Sequence, residues 1–168
     1  MLKLAIAHLR EGHSRLEQRV LVADVDLASN EEFSDPIDIL FDINKVGNDF
    51  FIDCHLKTRI HLICDRCLEA FTSKFSEQTR IILSPNRKFE EADQEDIFFI
   101  DEGTRDVDIT SSVRQTLLLA LPVKRLCKEK CKGLCPRCGV NFNKKKCKCR
   151  TETIDPRWDA LRKLRENM

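Results

Sequence analysis

The sequence predicts an α+β fold: an antiparallel β-sheet domain covered by a helix, followed by a cysteine-rich basic segment and a short terminal helix. Three observations carry this expectation. Apolar and polar side chains alternate from Phe50 to Cys64. One helical stretch, about Ile109 to Leu121, lies between a capping acid and a proline. Six of the nine cysteines crowd into residues 127–149.

The elements follow in chain order. Leu2 to Leu9 is expected to be a strand, Arg10 to Gln18 a loop, and Arg19 to Ala28 ("RVLVADVDLA") a second strand. Ile37 to Val46 is a third, ended by the turn signal Gly47-Asn48. In Phe50 to Cys64 ("FFIDCHLKTRIHLIC") the even positions are Phe50, Ile52, Cys54, Leu56, Thr58, Ile60, Leu62 and Cys64, and Asp53, His55, Lys57, Arg59 and His61 alternate with them. Period-two alternation gives a strand with its apolar side inward. Asp65 to Glu69 turns the chain, and "AFTSKFSEQTRIILS" returns as its partner, so Cys64 and Cys67 sit at a hairpin tip. The outer face carries His55, Lys57, Arg59, His61, Lys74 and Arg80. That face reads either as an ordinary polar sheet surface or, at Lys57 and Arg59, as a nucleic-acid contact. An acidic loop is expected at about residues 86–96, then a short strand at Asp96 to Asp101. Asp108 is the candidate N-cap of the helix, with Ser112 and Gln115 at capping-box spacing offering a later start, and Pro122 stops it. Ile109, Val113, Leu117 and Leu121 share one face, suited to covering the sheet. Asp155 and Pro156 open the terminal helix, which shows Trp158, Leu161 and Leu164 as a narrow apolar stripe. The division expected is a sheet-plus-helix domain over residues 1–122 and a cysteine-rich segment with its helix over 123–168.

At 168 residues the chain can bury a core without covalent staples. It has no apolar run of membrane-spanning length and no leader-like start, which points to a cytoplasmic protein with no membrane partner. The net charge of +1 conceals a segregation. Residues 124–150 hold eleven Lys or Arg against one acid, whereas residues 87–108 hold nine acids against three bases. One surface therefore suits an anion and another does not.

The thiols in that basic segment admit three uses: disulfides, redox chemistry or metal binding. An odd count and a reducing compartment disfavour disulfides. Cys64-Asp65-Arg66-Cys67 has redox spacing, but such a site belongs at a helix start, and here the pair lies in a hairpin. Cys135-Pro136-Arg137-Cys138-Gly139 has the form of a zinc knuckle, in which glycine takes a positive φ and backbone N–H groups point at sulfur. Cys147 and Cys149 supply two more thiolates, closing a four-cysteine zinc site. Cys64, Cys67, Cys127 and Cys131 form the candidate second site, pinning the hairpin tip to the chain after Pro122, and Cys54 is left as a core residue. The surplus charge then projects from metal-fixed turns. Lys144, Lys145, Lys146, Lys148 and Arg137 are the candidate phosphate contacts. Phe142 either stacks on an unpaired base or packs against the metal turn.

The blocks "CDRCLEAF", "LLLALPVKRLCKEKCKGLCPRCGVNFN", "CKC" and "DPRWDALRKL", spread from Cys64 to Leu164, resemble the YceD family, the large ribosomal RNA subunit accumulation proteins. The resemblance implies a cytoplasmic bacterial protein involved in accumulation of 23S rRNA and in large-subunit assembly. It also implies a gene that commonly neighbours one for a small zinc-bearing ribosomal protein. No catalytic residue is carried over.

The residues agree. The chain contains no GxxxxGK, GxSxG or HExxH, and no histidine in or after the cysteine-rich segment to make an open catalytic zinc. The expectation is a non-enzyme that binds rRNA or a pre-large-subunit particle. The alternative is an adaptor that grips a basic ribosomal protein through its zinc region and acidic loop. A thiol redox enzyme is the third reading.

Overall fold

A computed structural model describes residues 1–85, 97–101, 103–149 and 158. The acidic loop at 86–96 and the terminal helix expected from Asp155 lie outside the described residues, apart from Trp158.

The fold is α+β, built on a five-stranded sheet. Its strands are β2 (Gly12–Val20), β3 (Ile37–Val46), β4 (Asp49–Ile63), β5 (Ala70–Ser84) and β6 (Ile97–Phe99), in that spatial order. Every pair is antiparallel except β5 with β6, which run parallel. A second, two-stranded sheet pairs β1 (Lys3–Ala5) with β7 (Asp106–Asp108), antiparallel. Helix α1 (Thr110–Leu119) follows β7 directly.

Alternation sets the register of the long strands. Phe50, Ile52, Cys54, Leu56, Ile60 and Leu62 of β4 are buried, as are Ile37, Ile39, Phe41 and Ile43 of β3 and Ile81 and Leu83 of β5. Ile109, Val113 and Leu117 close the same core from the helix side, all at 0% exposure. Each fully buried side chain of this size contributes about 1.5–3 kcal/mol relative to an exposed one. Phe33 and Phe75 meet edge to face, with centroids 5.8 Å apart.

Two N-terminal expectations are corrected. The stretch expected as a loop, Arg10 to Gln18, is mostly strand β2, and the strand expected from Arg19 to Ala28 ends at Val20. β2 is an edge strand whose inward residues are only half covered, with Leu16 at 39% exposure, so its apolar alternation is weak. After it, Val22–Val25 forms a 3-10 turn, because the Asp24 carboxylate accepts the Leu21 N–H at 3.0 Å and Asp26 takes a left-handed φ of 54°. The strand expected over Leu2 to Leu9 shortens to Lys3–Ala5.

The helix start is stitched to the N-terminus. Asp108 Oδ1 accepts both the Thr110 N–H (2.9 Å) and the Thr110 hydroxyl (2.5 Å), while Thr110 Oγ1 accepts the Leu2 N–H at 2.8 Å. Asp108 thus ties down the first turn from one residue before the N-cap position, which Ile109 occupies without a side-chain cap; the later start at Ser112 is not used, and Ser112 is buried within the helix. The Thr110 hydroxyl, then the Thr110 N–H, hold the Asp108 carboxyl below its ordinary pKa. A lowered carboxyl pKa stabilises the fold when ionised. The benefit is therefore complete above the ordinary carboxylate range, near pH 4, and is lost as pH falls through the lowered native value. Asp108→Ala is expected to cost about 1 kcal/mol at neutral pH. Urea titrations of both proteins should converge as pH drops below that range.

Candidate metal centres and basic surface

Strand β4 ends at Ile63, and the next six residues, Cys64 to Glu69, make the turn that carries Cys64 and Cys67. Within it the Leu68 N–H donates to Cys64 O (2.9 Å) and the Cys64 N–H to Glu69 O (3.0 Å). The turn at Cys135 repeats this pattern: the Gly139 N–H donates to Cys135 O (2.9 Å) and the Cys135 N–H to Val140 O (2.8 Å). The fifth residue has a positive φ in both, 56° at Leu68 and 69° at Gly139. Two knuckles with the pattern Cys-x-Arg-Cys are therefore built alike, one at the tip of a hairpin and one in the tail. The glycine predicted for the metal turn does what was expected. Leu68 holds the same strained conformation with a side chain.

Each knuckle meets a second pair of cysteines. Cys64, Cys67, Cys127 and Cys131 have all four Sγ atoms within 4.8 Å of one another, and so do Cys135, Cys138, Cys147 and Cys149. Within these sets Sγ separations are 3.8 Å (Cys64–Cys131), 3.7 Å (Cys67–Cys127) and 3.5 Å (Cys135–Cys147). A disulfide needs about 2.05 Å. A tetrahedron of sulfurs each about 2.3 Å from a metal has edges of about 3.8 Å. The donor sets fit a tetrahedral thiophilic ion, so both clusters could hold one and are compatible with zinc. None of the nine cysteines forms a disulfide, and Cys54 is buried in the sheet core as expected.

The electrostatics point the same way. Backbone N–H groups, that of Cys127 first, lower the Cys64 thiol to about 6, and those of Cys138 and Arg137 lower Cys135 to about 6. Burial, then Cys67, pushes Cys127 up to about 12, and Cys138 pushes Cys149 up to about 12. Four thiolates this close cannot all ionise against each other; a bound cation removes that repulsion.

The centres differ in burial. Cys64, Cys67 and Cys131 are buried beside Phe71, Leu126 and Leu134, forming a small core apart from the main one. Cys138 is exposed, and Cys147 and Cys149 are half-buried. Polar contacts brace the Cys64–Cys131 centre, the first in chain order, on both sides. The Arg125 N–H donates to Asp65 Oδ2 (2.7 Å) and the Asp65 N–H to Arg125 O (2.8 Å). Arg66 Nη1 donates to Cys131 O (2.9 Å), and the Leu134 N–H to Arg66 O (3.1 Å). Gly133, with φ 72°, makes the last approach possible, because a Cβ there would lie 3.0 Å from Arg66 O. Asn143 then links the tail to the first centre: its Nδ2 donates to Cys131 Sγ (3.2 Å) and its Oδ1 accepts the Lys132 N–H (3.0 Å).

The candidate phosphate contacts fall into two groups. Lys145, Lys146, Lys148 and Arg137 are exposed and carry no ion pair among the described residues. Lys144 pairs with Glu69 across the hairpin tip, which raises its pKa, so it braces the tail instead of standing free. Phe142 is half-buried, and its N–H donates to Gly133 O (3.0 Å). On the outer sheet face Arg80 pairs with Asp53 (2.7 Å), His55 lies 3.5 Å from Asp42, and His61 lies 3.3 Å from Asp35. Lys57 and Arg59 remain exposed with no such partner among the described residues, and Lys74 stands directly opposite Arg59. The sequence suggests Asn143 as a residue placed to read an unpaired base, not as a brace of the metal centre, and it does not single out Gly133 or the likeness of the two knuckles. The repeated Cys-x-Arg-Cys was the available signal for the last.

Two predictions follow from this bracing. Gly133→Ala is expected to lose about 1–2 kcal/mol in chemical denaturation of the metal-loaded protein, whereas Leu68→Gly, relieving a strained φ, should gain up to about 1 kcal/mol. Cys131→Ser should free the whole tail after about Leu126 to amide exchange. Cys138→Ser should free only residues after about Leu134, because Cys127 and Cys131 still hold the rest. Equal protection in both mutants would show that metal does not hold the tail.

Comparison with known proteins places these centres. No solved structure matches the chain. A chloroplastic "Large ribosomal RNA subunit accumulation protein YCED homolog 1" of Arabidopsis thaliana is 26% identical over 160 residues, covering 79% of this chain and 50% of the plant protein. The Zea mays protein of the same name is 23% identical over 172 residues, covering 82% of this chain and 59% of its own length. An uncharacterized protein of Mycobacterium tuberculosis is 34% identical over 103 residues, covering 58% of this chain and 47% of that one. The chain thus spans about half the length of the curated relatives it matches. The family model described as "Large ribosomal RNA subunit accumulation protein YceD" matches residues 52–165, which include most of β4, all of β5, the helix and all eight clustered cysteines. The chain belongs to the YceD family.

Proposed function

We propose that this protein is a non-catalytic ribosome biogenesis factor that supports accumulation of large-subunit rRNA, with two structural zinc ions and a tail that contacts RNA directly. The observation that carries the reading is the placement of Arg137, Lys145, Lys146 and Lys148. All are exposed on or beside turns whose cysteines gather in fours. Cations on flexible chain lose entropy when they bind; cations on clamped turns have already lost it.

Zinc suits the sites because each offers four sulfurs and no open position, the pattern of structural rather than catalytic zinc. Cys64, Cys67, Cys127 and Cys131 would hold one ion, and Cys135, Cys138, Cys147 and Cys149 the other. The ions would supply charge neutralisation and folding energy, and the surrounding residues do the binding. Four thiolates around a divalent ion leave a formal charge of −2, so the tail stays strongly basic even with both sites filled.

RNA affinity is expected to fall as salt rises, by about 0.7–0.9 log units per tenfold increase for each phosphate contact. Replacing Lys145, Lys146 and Lys148 by Glu should flatten that slope by up to three contacts and weaken all RNA sequences about equally. The test is a titration of large-subunit rRNA fragments at several salt concentrations, with zinc content checked by native mass spectrometry. Equal slopes in wild type and variant, both carrying two zinc ions, would remove the tail from the RNA interface. A stable RNA-free complex with a basic ribosomal protein would then favour the adaptor reading.

A further inference from the structure

Several arginines on the outer face of the sheet are paired with acids. Arg15 pairs with Asp42 (2.8 Å), Arg80 with Asp53 (2.7 Å), and Arg19 reaches Asp38 (3.5 Å). Beyond the start of β3 at Ile37 the sheet narrows to the β4–β5 hairpin alone, leaving a notch of about 540 Å³. Its basic lining is Arg19, Lys57, Arg59 and Lys74. Two acids also line it: Asp38 lies between Arg19 and Lys57 in register and is reached by Arg19, and Asp35 is hydrogen-bonded by His61, so the four cations outnumber the two acids. Lys57, Arg59 and Lys74 are exposed and carry no ion pair among the described residues. Arg59 and Lys74 are directly paired in register across the two strands. Like charges so placed repel, and a bound anion reverses that repulsion.

The notch is also rigid. Thr58 Oγ1 donates to Pro36 O (3.0 Å), fixing the loop wall to β4, and the His61 N–H donates to Glu32 O (2.9 Å). Phe75, a lining residue, is held from beneath by Phe33. Three cations therefore converge on a shaped surface whose neighbours are already paired.

We propose that this notch is a second RNA contact, in which Lys57, Arg59 and Lys74 hold a phosphate of the same RNA strand that the tail grips. The proposal rests on the RNA-binding reading of the tail. Five residues of extended chain separate Arg59 from Cys64 at the first metal centre, about 17 Å. A strand of a few nucleotides spans that distance, and joining two weak contacts on one rigid body makes the second effectively intramolecular. The metal centre at the hairpin tip would then set the spacing between the anchors.

The test uses the full-length, zinc-loaded protein and large-subunit rRNA fragments. Lys57→Glu and Lys74→Glu are each expected to flatten the salt slope by about 0.7–0.9, one phosphate contact. Lys74→Glu places an acid opposite Arg59, so its melting temperature should be equal to or above that of wild type. Arg105→Glu, an exposed cation outside the notch, is the control for net charge and should leave the slope unchanged. The notch is excluded if Lys74→Glu binds with the wild-type slope, or if Arg105→Glu flattens the slope as much. A wild type that shows no salt-dependent RNA binding overturns the tail reading instead. A wild type that loses its slope only when the tail lysines are reversed supports the tail and overturns the notch.

Discussion

The junction between the hairpin tip and the tail rests on a four-sulfur cluster. Cys64 and Cys67 come from the end of β4 and its turn, and Cys127 and Cys131 come from chain that follows the helix. Sixty or more residues separate the pairs, so bringing them together closes a long loop against chain entropy. Few apolar groups are on hand to do it: beyond the thiols, the small core there contains Phe71, Leu126 and Leu134. A structural metal, worth about 10–16 kcal/mol in small peptides, is large enough to close that junction where burial alone is not. The Asp65–Arg125 and Arg66–Cys131 contacts then fix its angle.

This explains why thiols and lysines share one segment. A lysine-rich stretch with few aromatics cannot order itself by burial. A metal held by the clustered thiolates would order it, and the negative charge they bring would be offset by the cations around them. The arrangement also uses its cations unequally. Lys144 pairs with Glu69 of the hairpin turn, whereas Lys145, Lys146 and Lys148 stay exposed. One lysine braces the tail and its neighbours face outward.

The sheet face follows the same economy of charge. Most of its cations have an acid beside them in register, as Arg15 has Asp42 and Arg80 has Asp53. Such exposed, solvent-screened pairs contribute little stability. Against that surround Arg59 and Lys74, which face each other in register with no acid opposite, stand out with Lys57 beside them as a local positive field at the narrow end of the sheet.

The sequence alone determined what depends on local period and spacing. Alternation from Phe50 to Cys64 defined the central strand and its buried face, and the Asp108-to-Pro122 frame located the helix to within a few residues. Cysteine arithmetic grouped the thiols into the same two fours that lie together in the structure, because knuckle spacing and the leftover count leave few other groupings. It failed at the edge strand β2, whose two faces are both largely solvated and so carry weak alternation, and at Val22–Val25, where an Asp side chain competes with strand pairing. Only the tertiary structure decided which cations are free. Glu69 meeting Lys144, Asp53 meeting Arg80 and Lys74 facing Arg59 are relations between segments far apart in sequence or set by strand register. Local pattern carries no information on such pairings, since they exist only after the sheet has chosen its register and the four thiols have brought the tail to the hairpin.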